Sequence, residues 1–308
     1  MNKQPGPVKD APKPSRRSQW QRLKKPLRWL IGFFVLAGLV LVAWVSYREI
    51  RLWVRQPSPE NFNLAPATLG PEMLVIPAGA LTMGSPDSET GRFPAEGPQH
   101  SVQIASFALG RYEVTFDEYD VFAKATSREL PNDNGWGRGL RPVINVSWDD
   151  AQAYAAWLSK KTGQRYRLPT EAEWEFAARA GMPGSRYWGD DPKLACLYAN
   201  VWDQSFGCDD GYADKTAPVG SFLSNPFGLQ DVLGNVWEWV ADCWHDSYQG
   251  APNDGSDWED KKGCDSGRRV LRGGSWGSEP VYVRAAARLR NNPGYGNNFI
   301  GFRLARTL

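Results

Sequence analysis

The chain is 308 residues long, 42% hydrophobic and 13% aromatic, with 15 Trp, 31 Gly and 23 Pro. Its formal net charge of +2 joins two opposed parts: residues 1–28 hold nine Lys or Arg and one acid, Asp10, leaving 27 basic against 33 acidic residues, a net of −6, in the remainder. A mildly acidic main part excludes nucleic acid as a partner, because phosphate contacts need a cationic surface; so many indoles point instead to aromatic packing whose N–H groups need acceptors.

In chain order, residues 1–28 read as a disordered basic tail on the cytoplasmic side. Residues 29–47 (WLIGFFVLAGLVLVAWVSY) carry no charge. As a helix they span about 28 Å, close to the hydrocarbon thickness of a bilayer. Trp29, Trp44 and Tyr47 sit at the ends, as interface aromatics do. The stretch is too long for a signal-peptide core, and no small-x-small cleavage pattern follows it. It is therefore predicted to be a transmembrane helix. The basic flank before it keeps the N-terminus inside and exports everything after Tyr47. The expected protein is a single-pass inner-membrane protein with a periplasmic or extracellular main domain. Residues 48–70, with Pro57, Pro59, Asn61 and Pro66, read as a linker, and residues 71–308 as the folded domain.

Two apolar runs, residues 73–77 and 81–84, suggest a hairpin turning through Pro77-Ala78-Gly79, and residues 102–109 another strand. Three helices announce themselves by capping boxes. Thr115 with Glu118 opens the first, which runs to about Ala125. Ser147 with Asp150 opens the second, whose Ala151, Tyr154, Ala155 and Leu158 share a face and which Gly163 stops. Thr170 with Glu173 opens the third, turning Trp174, Ala177 and Ala178 inward and ending at Gly181. Beyond it the pattern dissolves into short strands and long loops, an α+β, loop-rich chain. Near the end, Val270-Leu271 and Ile300-Gly301-Phe302 look like buried strands bracketing an irregular segment of Gly, Ser, Tyr, Asn, Arg and Pro. Such a segment held by a scaffold is a usual place for binding.

Four cysteines, Cys196, Cys208, Cys243 and Cys264, follow the apolar stretch. In an oxidising compartment, Cys196–Cys208 and Cys243–Cys264 is the simplest of three possible pairings. A zinc site would need C-x-x-C spacing, which is missing, and the chain has two histidines, His100 and His245.

The order Arg167-Leu168-Pro169-Thr170-Glu171-Ala172-Glu173-Trp174-Glu175, Asn225-Pro226-Phe227-Gly228-Leu229, Gly234-Asn235-Val236-Trp237-Glu238-Trp239, Arg272-Gly273-Gly274-Ser275-Trp276 and Gly301-Phe302-Arg303 resembles the formylglycine-generating enzyme family, also called the sulfatase-modifying factor family. The resemblance runs from about Met73 to Leu308. It implies a variant of the C-type lectin fold.

Two clusters suit calcium by their own chemistry, since hard oxygen donors favour Ca²⁺. Asp231, Gly234, Val236 and Glu238 fall within eight residues; Asn200, Asp209 and Asp210 flank Gly211. The plain alternative is that Asp231 and Glu238 cap turns and pair with arginines. The resemblance implies two calcium sites, one on the side chains of Asn200 and Asp210 with the carbonyls of Val201 and Tyr212. The other would use the side chains of Asp231 and Glu238 with the carbonyls of Gly234 and Val236.

The family's oxidase chemistry uses two copper-binding cysteines shortly after the RGGS turn, because soft sulfur selects Cu(I). Those places hold Ser278 and Val283 here, so no copper and no catalytic residue is expected. Ser275 and Trp237 match family active-site positions, but a turn and a core account for them equally well.

The stretch 276–300 also resembles the variable region of proteins diversified by retroelements, which share the lectin-like fold. Arg284, Ala285, Ala286, Arg288, Arg290, Asn291, Asn292, Pro293, Asn297, Asn298 and Gly301-Phe302-Arg303 look like the retained frame. Gly277, Ser278, Val281, Tyr282, Ala287, Leu289, Tyr295, Gly296 and Phe299 look like replaced asparagines; Glu279 does not fit this pattern. On that reading the nine form a ligand-binding face, with Tyr282, Tyr295 and Phe299 as anchors. Arg284, Arg288 and Arg290 would tie the segment to scaffold carboxylates. The expected function is a membrane-anchored, exported protein that binds an unknown protein or surface ligand. The alternatives are an oxidoreductase of the same family with an altered active site, or a structural subunit of an envelope complex.

Overall fold

In the computed structural model, residues 70–259, 264 and 266–308 are described. The chain divides into two units, Met1–Asn63 and Leu64–Leu308, and all described residues belong to the second. The predicted basic tail, the apolar stretch 29–47 and the linker up to residue 69 lie outside the described residues. Among the described residues, no helix is long and apolar enough to cross a membrane.

The domain starts with β1 (Met73–Ile76), β2 (Gly79–Met83), β3 (His100–Ile104) and β4 (Phe107–Gly110). The expected hairpin of the first two runs does not form. β1 pairs antiparallel with β4, Met73 opposite Gly110, whereas β2 pairs with β3, Gly79 opposite Ile104. The single strand expected over residues 102–109 is likewise two strands in two sheets. Burial explains the split: β3 buries alternate residues, and β4 is buried on both faces. A period-2 strand cannot continue into one covered on both sides without changing partners.

The three capping boxes hold. Helix α1 (Phe116–Ala125) starts at Thr115, α2 (Trp148–Thr162) at Ser147, and α3 (Glu171–Arg179) at Thr170. At the last, the Thr170 hydroxyl accepts from the Glu173 N–H at 3.1 Å and the Glu173 carboxylate accepts from the Thr170 N–H at 2.9 Å. Gly163, with φ 73°, closes α2 in the left-handed conformation that glycine adopts without penalty.

Strand β5 (Tyr166–Arg167) separates α2 from α3, and the short helices α4 (Ala195–Tyr198) and α5 (Asp203–Phe206) follow α3. Then come β6 (Trp237–Cys243), β7 (Arg269–Arg272), β8 (Arg288–Asn291), β9 (Ile300–Gly301) and β10 (Ala305–Arg306). One sheet runs β1-β4-β10-β5, a second β2-β3, and the third β8-β7-β6-β9. The two runs expected as buried strands, at Val270 and Ile300, thus enter the same sheet on opposite sides of β6, Ile300 parallel to Trp237. Cys196–Cys208 and Cys243–Cys264 are the disulfides, with Cα separations of 6.0 and 5.2 Å.

Aromatic rings fill much of the core. Tyr119, Phe122, Tyr154 and Phe302 pack largely edge to face, at centroid distances from 5.2 to 6.4 Å. Indole N–H groups find buried acceptors: Trp174 donates to Glu238 at 2.8 Å and Trp239 to the Val146 carbonyl at 3.2 Å.

Candidate functional site

Strand β7 delivers Arg272 into the interior and then turns at Gly273 and Gly274, φ 100° and 84°. A Cβ on Gly273 would lie 3.0 Å from the Val232 carbonyl oxygen, so the turn has no room for a side chain. The buried Arg272 guanidinium donates to the carbonyls of Ala285, Ala286 and Ala287 at 2.8, 2.9 and 2.6 Å, and to Glu175 at 2.5 Å. One arginine thus satisfies three consecutive carbonyls of an irregular segment that no ladder could serve.

After this turn the Ser278 hydroxyl accepts the Ser275 N–H at 2.9 Å and lies 3.0 Å from the Ser275 hydroxyl. Val283 is wholly buried in the apolar core. The two positions that the resemblance assigns to copper ligands therefore hold a hydroxyl bonded into its own turn and a core isopropyl group. All four cysteines are spent in disulfides.

Beside Ser278 opens a cavity of about 330 Å³. Its rings are Trp202, Trp237, Tyr282 and Phe299, with Ser275, Ser278, Asn291 and Asn297 supplying polar atoms. Each side has an aromatic backing. Tyr282 stacks on Phe93 at 5.4 Å and meets Trp237 edge-on at 6.3 Å; Phe299 stacks on Trp276 at 4.4 Å, which abuts Trp136 at 5.4 Å. A concave site with apolar rings and a few polar groups is the usual form of a ligand pocket.

Of the nine residues expected to form a face, Gly277, Ser278, Tyr282, Leu289 and Phe299 line this cavity. The other four do not. Ala287 is wholly buried and its carbonyl belongs to Arg272. Val281 packs over Gly91, and Gly296 presses on the Asn145–Val146 backbone so closely that a Cβ would lie 2.9 Å from it. Tyr295 is 45% exposed but lies outside the cavity lining. The three arginines do tie the segment down: Arg284 to Glu89 and Glu96, Arg288 to Glu171, and Arg290 to Asp246. Trp202 and Phe93 were not expected at the site. Neither sits in a periodic pattern, so only the long-range packing reveals them.

The oxygen clusters meet at Asn200. Its amide nitrogen donates to the Lys215 carbonyl at 3.0 Å and to Asn235 at 3.2 Å, while its buried Oδ1 has no partner among the described residues. Asp210 accepts the N–H groups of Val201 and Tyr212 at 2.9 and 2.8 Å, and carboxylate oxygens of Asp203, Asp209 and Asp210 lie within 4.8 Å of one another. Buried oxygen without a donor beside crowded carboxylates fits a hard cation such as Ca²⁺. Asp203 was not among the expected donors.

At the second cluster Asp231 uses Oδ2 to accept the Gly220 N–H at 2.7 Å, and its buried Oδ1 has no partner among the described residues. Gly234, φ 86°, passes the Asn200 carbonyl so closely that a Cβ would lie 2.4 Å from it. Val236 lends its N–H to Glu113 at 3.2 Å. Glu238 is wholly buried. Arg303 donates to both its oxygens at 2.7 Å and Trp174 to one of them, which is the arginine pairing weighed as the alternative. The carboxylate beside Asp231 that the sequence did not point to is Glu113, which burial pushes well above its usual range, with Asp231 and Glu238 adding repulsion.

Burial pushes Asp210 and Asp231 up to about 6 and Asp242 up to about 7. In the unfolded chain these groups return to 3.8. Between the two values the folded state holds protons that the unfolded state has released, so stability falls as pH rises through this window. Glu175 works oppositely and lower: burial alone would raise it, but Arg179 and Arg272 hold it below 4.5. In chelator, the melting temperature is expected to fall from about pH 4 to about pH 7. Added calcium is expected to recover the loss at the upper end and to do little at the lower, where Asp210 and Asp231 are protonated. A flat profile in scanning calorimetry, with or without calcium, would contradict this.

The domain shares its structure with PvdO from Pseudomonas aeruginosa, at a TM-score of 0.71 and 44% identity over 79% of this chain and 96% of that one. Treponema denticola variable protein 1 matches with a TM-score of 0.62 and 25% identity, covering 79% of this chain and 98% of its own. In sequence, the formylglycine-generating enzyme of Thermomonospora curvata is 32% identical across 78% of this chain and 95% of its own length. The description "Sulfatase-modifying factor enzyme 1-like domain" matches residues 59–308. With its RGGS turn, its lectin-like sheets and this match over most of its length, the chain belongs to the sulfatase-modifying factor, or formylglycine-generating enzyme, family.

Proposed function

We propose that this protein is a ligand-binding member of its family, exported and membrane-anchored through residues 29–47, that uses the cavity between Tyr282 and Phe299 instead of copper chemistry. The observation that carries the reading is the state of the two copper-ligand positions: Ser278 closes a turn and Val283 fills the core, while the adjoining cavity stays open and ring-lined. Preformed rings cost little to order, so contact area there converts efficiently into affinity. Tyr282, Leu289 and Phe299 are the positions where replacement would retune the ligand. Ala287 and Gly296 are not, because a larger side chain at either has no space. The partner-free oxygens of Asn200 and Asp231 support calcium as a structural ion that stiffens the platform beneath.

A thermal-shift screen of chemically varied small molecules tests the reading. Compounds that stabilise the native chain are expected to lose their effect with Phe299→Ala and Tyr282→Ala, by about 1–3 kcal/mol of binding free energy each. Both rings pack against the core, so each variant is expected to melt below the native chain, and binding is compared at a temperature where all three are folded. Compounds that stabilise all three proteins equally would place the ligand elsewhere.

A further inference from the structure

We infer that the cavity takes an organic cation of the alkylammonium type, an inference that rests on the ligand-binding reading and adds its chemical class. Four rings line the cavity, Trp202, Trp237, Tyr282 and Phe299, and the one charged residue in its lining is Glu279. No Lys, Arg or His is among the lining residues. This is unexpected from the sequence, because Arg284, Arg288 and Arg290 all fall in the same segment. The fold turns each away. Arg284 is bonded to Glu89 and Glu96, Arg288 to Glu171, and Arg290 to Asp246. Arg186 comes near through the Pro280 carbonyl, to which it donates at 2.7 Å, but it is buried and outside the lining.

Among the described residues, the result is a pocket without a cationic side chain, ring-walled and acidic at the exposed Glu279. Glu279 is exposed and makes no ion pair among the described residues, so its charge is available to a ligand. Aromatic faces carry negative quadrupoles and attract ammonium groups, most strongly where water is displaced. An anionic ligand would meet Glu279 without any compensating side chain. The asparagine groups in the lining, Asn291 and Asn297, offer hydrogen bonds to a hydroxyl or amide next to the cation.

Isothermal titration of the full chain with choline, and with its neutral isostere 3,3-dimethylbutan-1-ol, separates charge from shape. A short peptide carrying one lysine, beside the same peptide with norleucine, separates a free cation from a chain-borne one. Choline or the lysine peptide is expected to bind roughly tenfold more tightly than its neutral counterpart. Glu279→Gln is expected to weaken that binding about threefold and to leave the melting temperature unchanged, as befits an exposed charge. Equal affinity for charged and neutral probes, preference for a carboxylate such as acetate, or no binding of either cation would overturn the inference. Equal affinity for charged and neutral probes that is lost in Phe299→Ala would overturn the inference while leaving the pocket in place as the binding site. A chain with no ligand of any charge there would remove both.

Discussion

Arg272→Met is expected to lower stability by about 3–5 kcal/mol, the usual result of removing one partner from a buried ion pair. For a domain of this size that is a melting-temperature drop of about 6–10 °C. Methionine can fill much of the arginine stem but offers no donor. Three carbonyls, of Ala285, Ala286 and Ala287, would lose their donor together, and Glu175 would keep only Arg179 and the Gly84 N–H. These carbonyls lie between Tyr282 and Leu289, both of which line the cavity. Ligand binding should therefore weaken at temperatures where the variant is still folded. Arg272→Lys is not expected to rescue it, because one ammonium cannot reproduce the planar fork that spans three acceptors. A melting temperature within about 2 °C of the native value would show that the segment is held by something else.

Arg303→Met is expected to cost a similar amount for a different reason. Arg303 is the cation among three buried carboxylates, Glu113, Asp231 and Glu238, which also repel one another. It donates to both oxygens of Glu238 and to the carbonyls of Gly110 and Gln230. Without it, Glu238 is left charged and buried, at about 3–5 kcal/mol. Two further outcomes separate this from a simple packing defect. The variant should regain stability on acidification more steeply than the native chain, as the carboxylates take up protons. The double variant Arg303→Met with Glu238→Gln should be more stable than the single one, because neutralising the orphaned charge removes the main penalty. Additive destabilisation in chemical denaturation would contradict the charge argument.

The sequence carried the helices well. A capping box is a local device, and Thr115, Ser147 and Thr170 each close a short circuit with the residue three positions on. The disulfides were equally legible, since the partners are near in sequence and the alternatives few. Strand pairing was not. Nothing in residues 73–84 reveals that β1 seeks β4 and β2 seeks β3, because both partners lie beyond that stretch, at residues 100–110. The site was half legible for a related reason. Composition pointed to the stretch from Gly277 to Phe299, but not to which of its residues turn outward. Ala287 is drawn inward by Arg272, and Gly296 by a backbone contact, through partners far along the chain. Trp202 in the lining, and Phe93 behind Tyr282, come from loops whose residues follow no period. Glu238 shows the same limit, since a carboxylate four residues after Gly234 does not reveal in sequence that Arg303 lies beside it.

The most direct measurement is copper binding combined with product analysis. The full chain is incubated with Cu(I) and a cysteine-containing peptide, and both bound metal and peptide mass are read. Ligand capture without thiol chemistry at the RGGS turn requires no stoichiometric copper and an unchanged peptide thiol. Copper retained one per chain, lost in Ser278→Ala, with conversion of the thiol to an aldehyde, would contradict it.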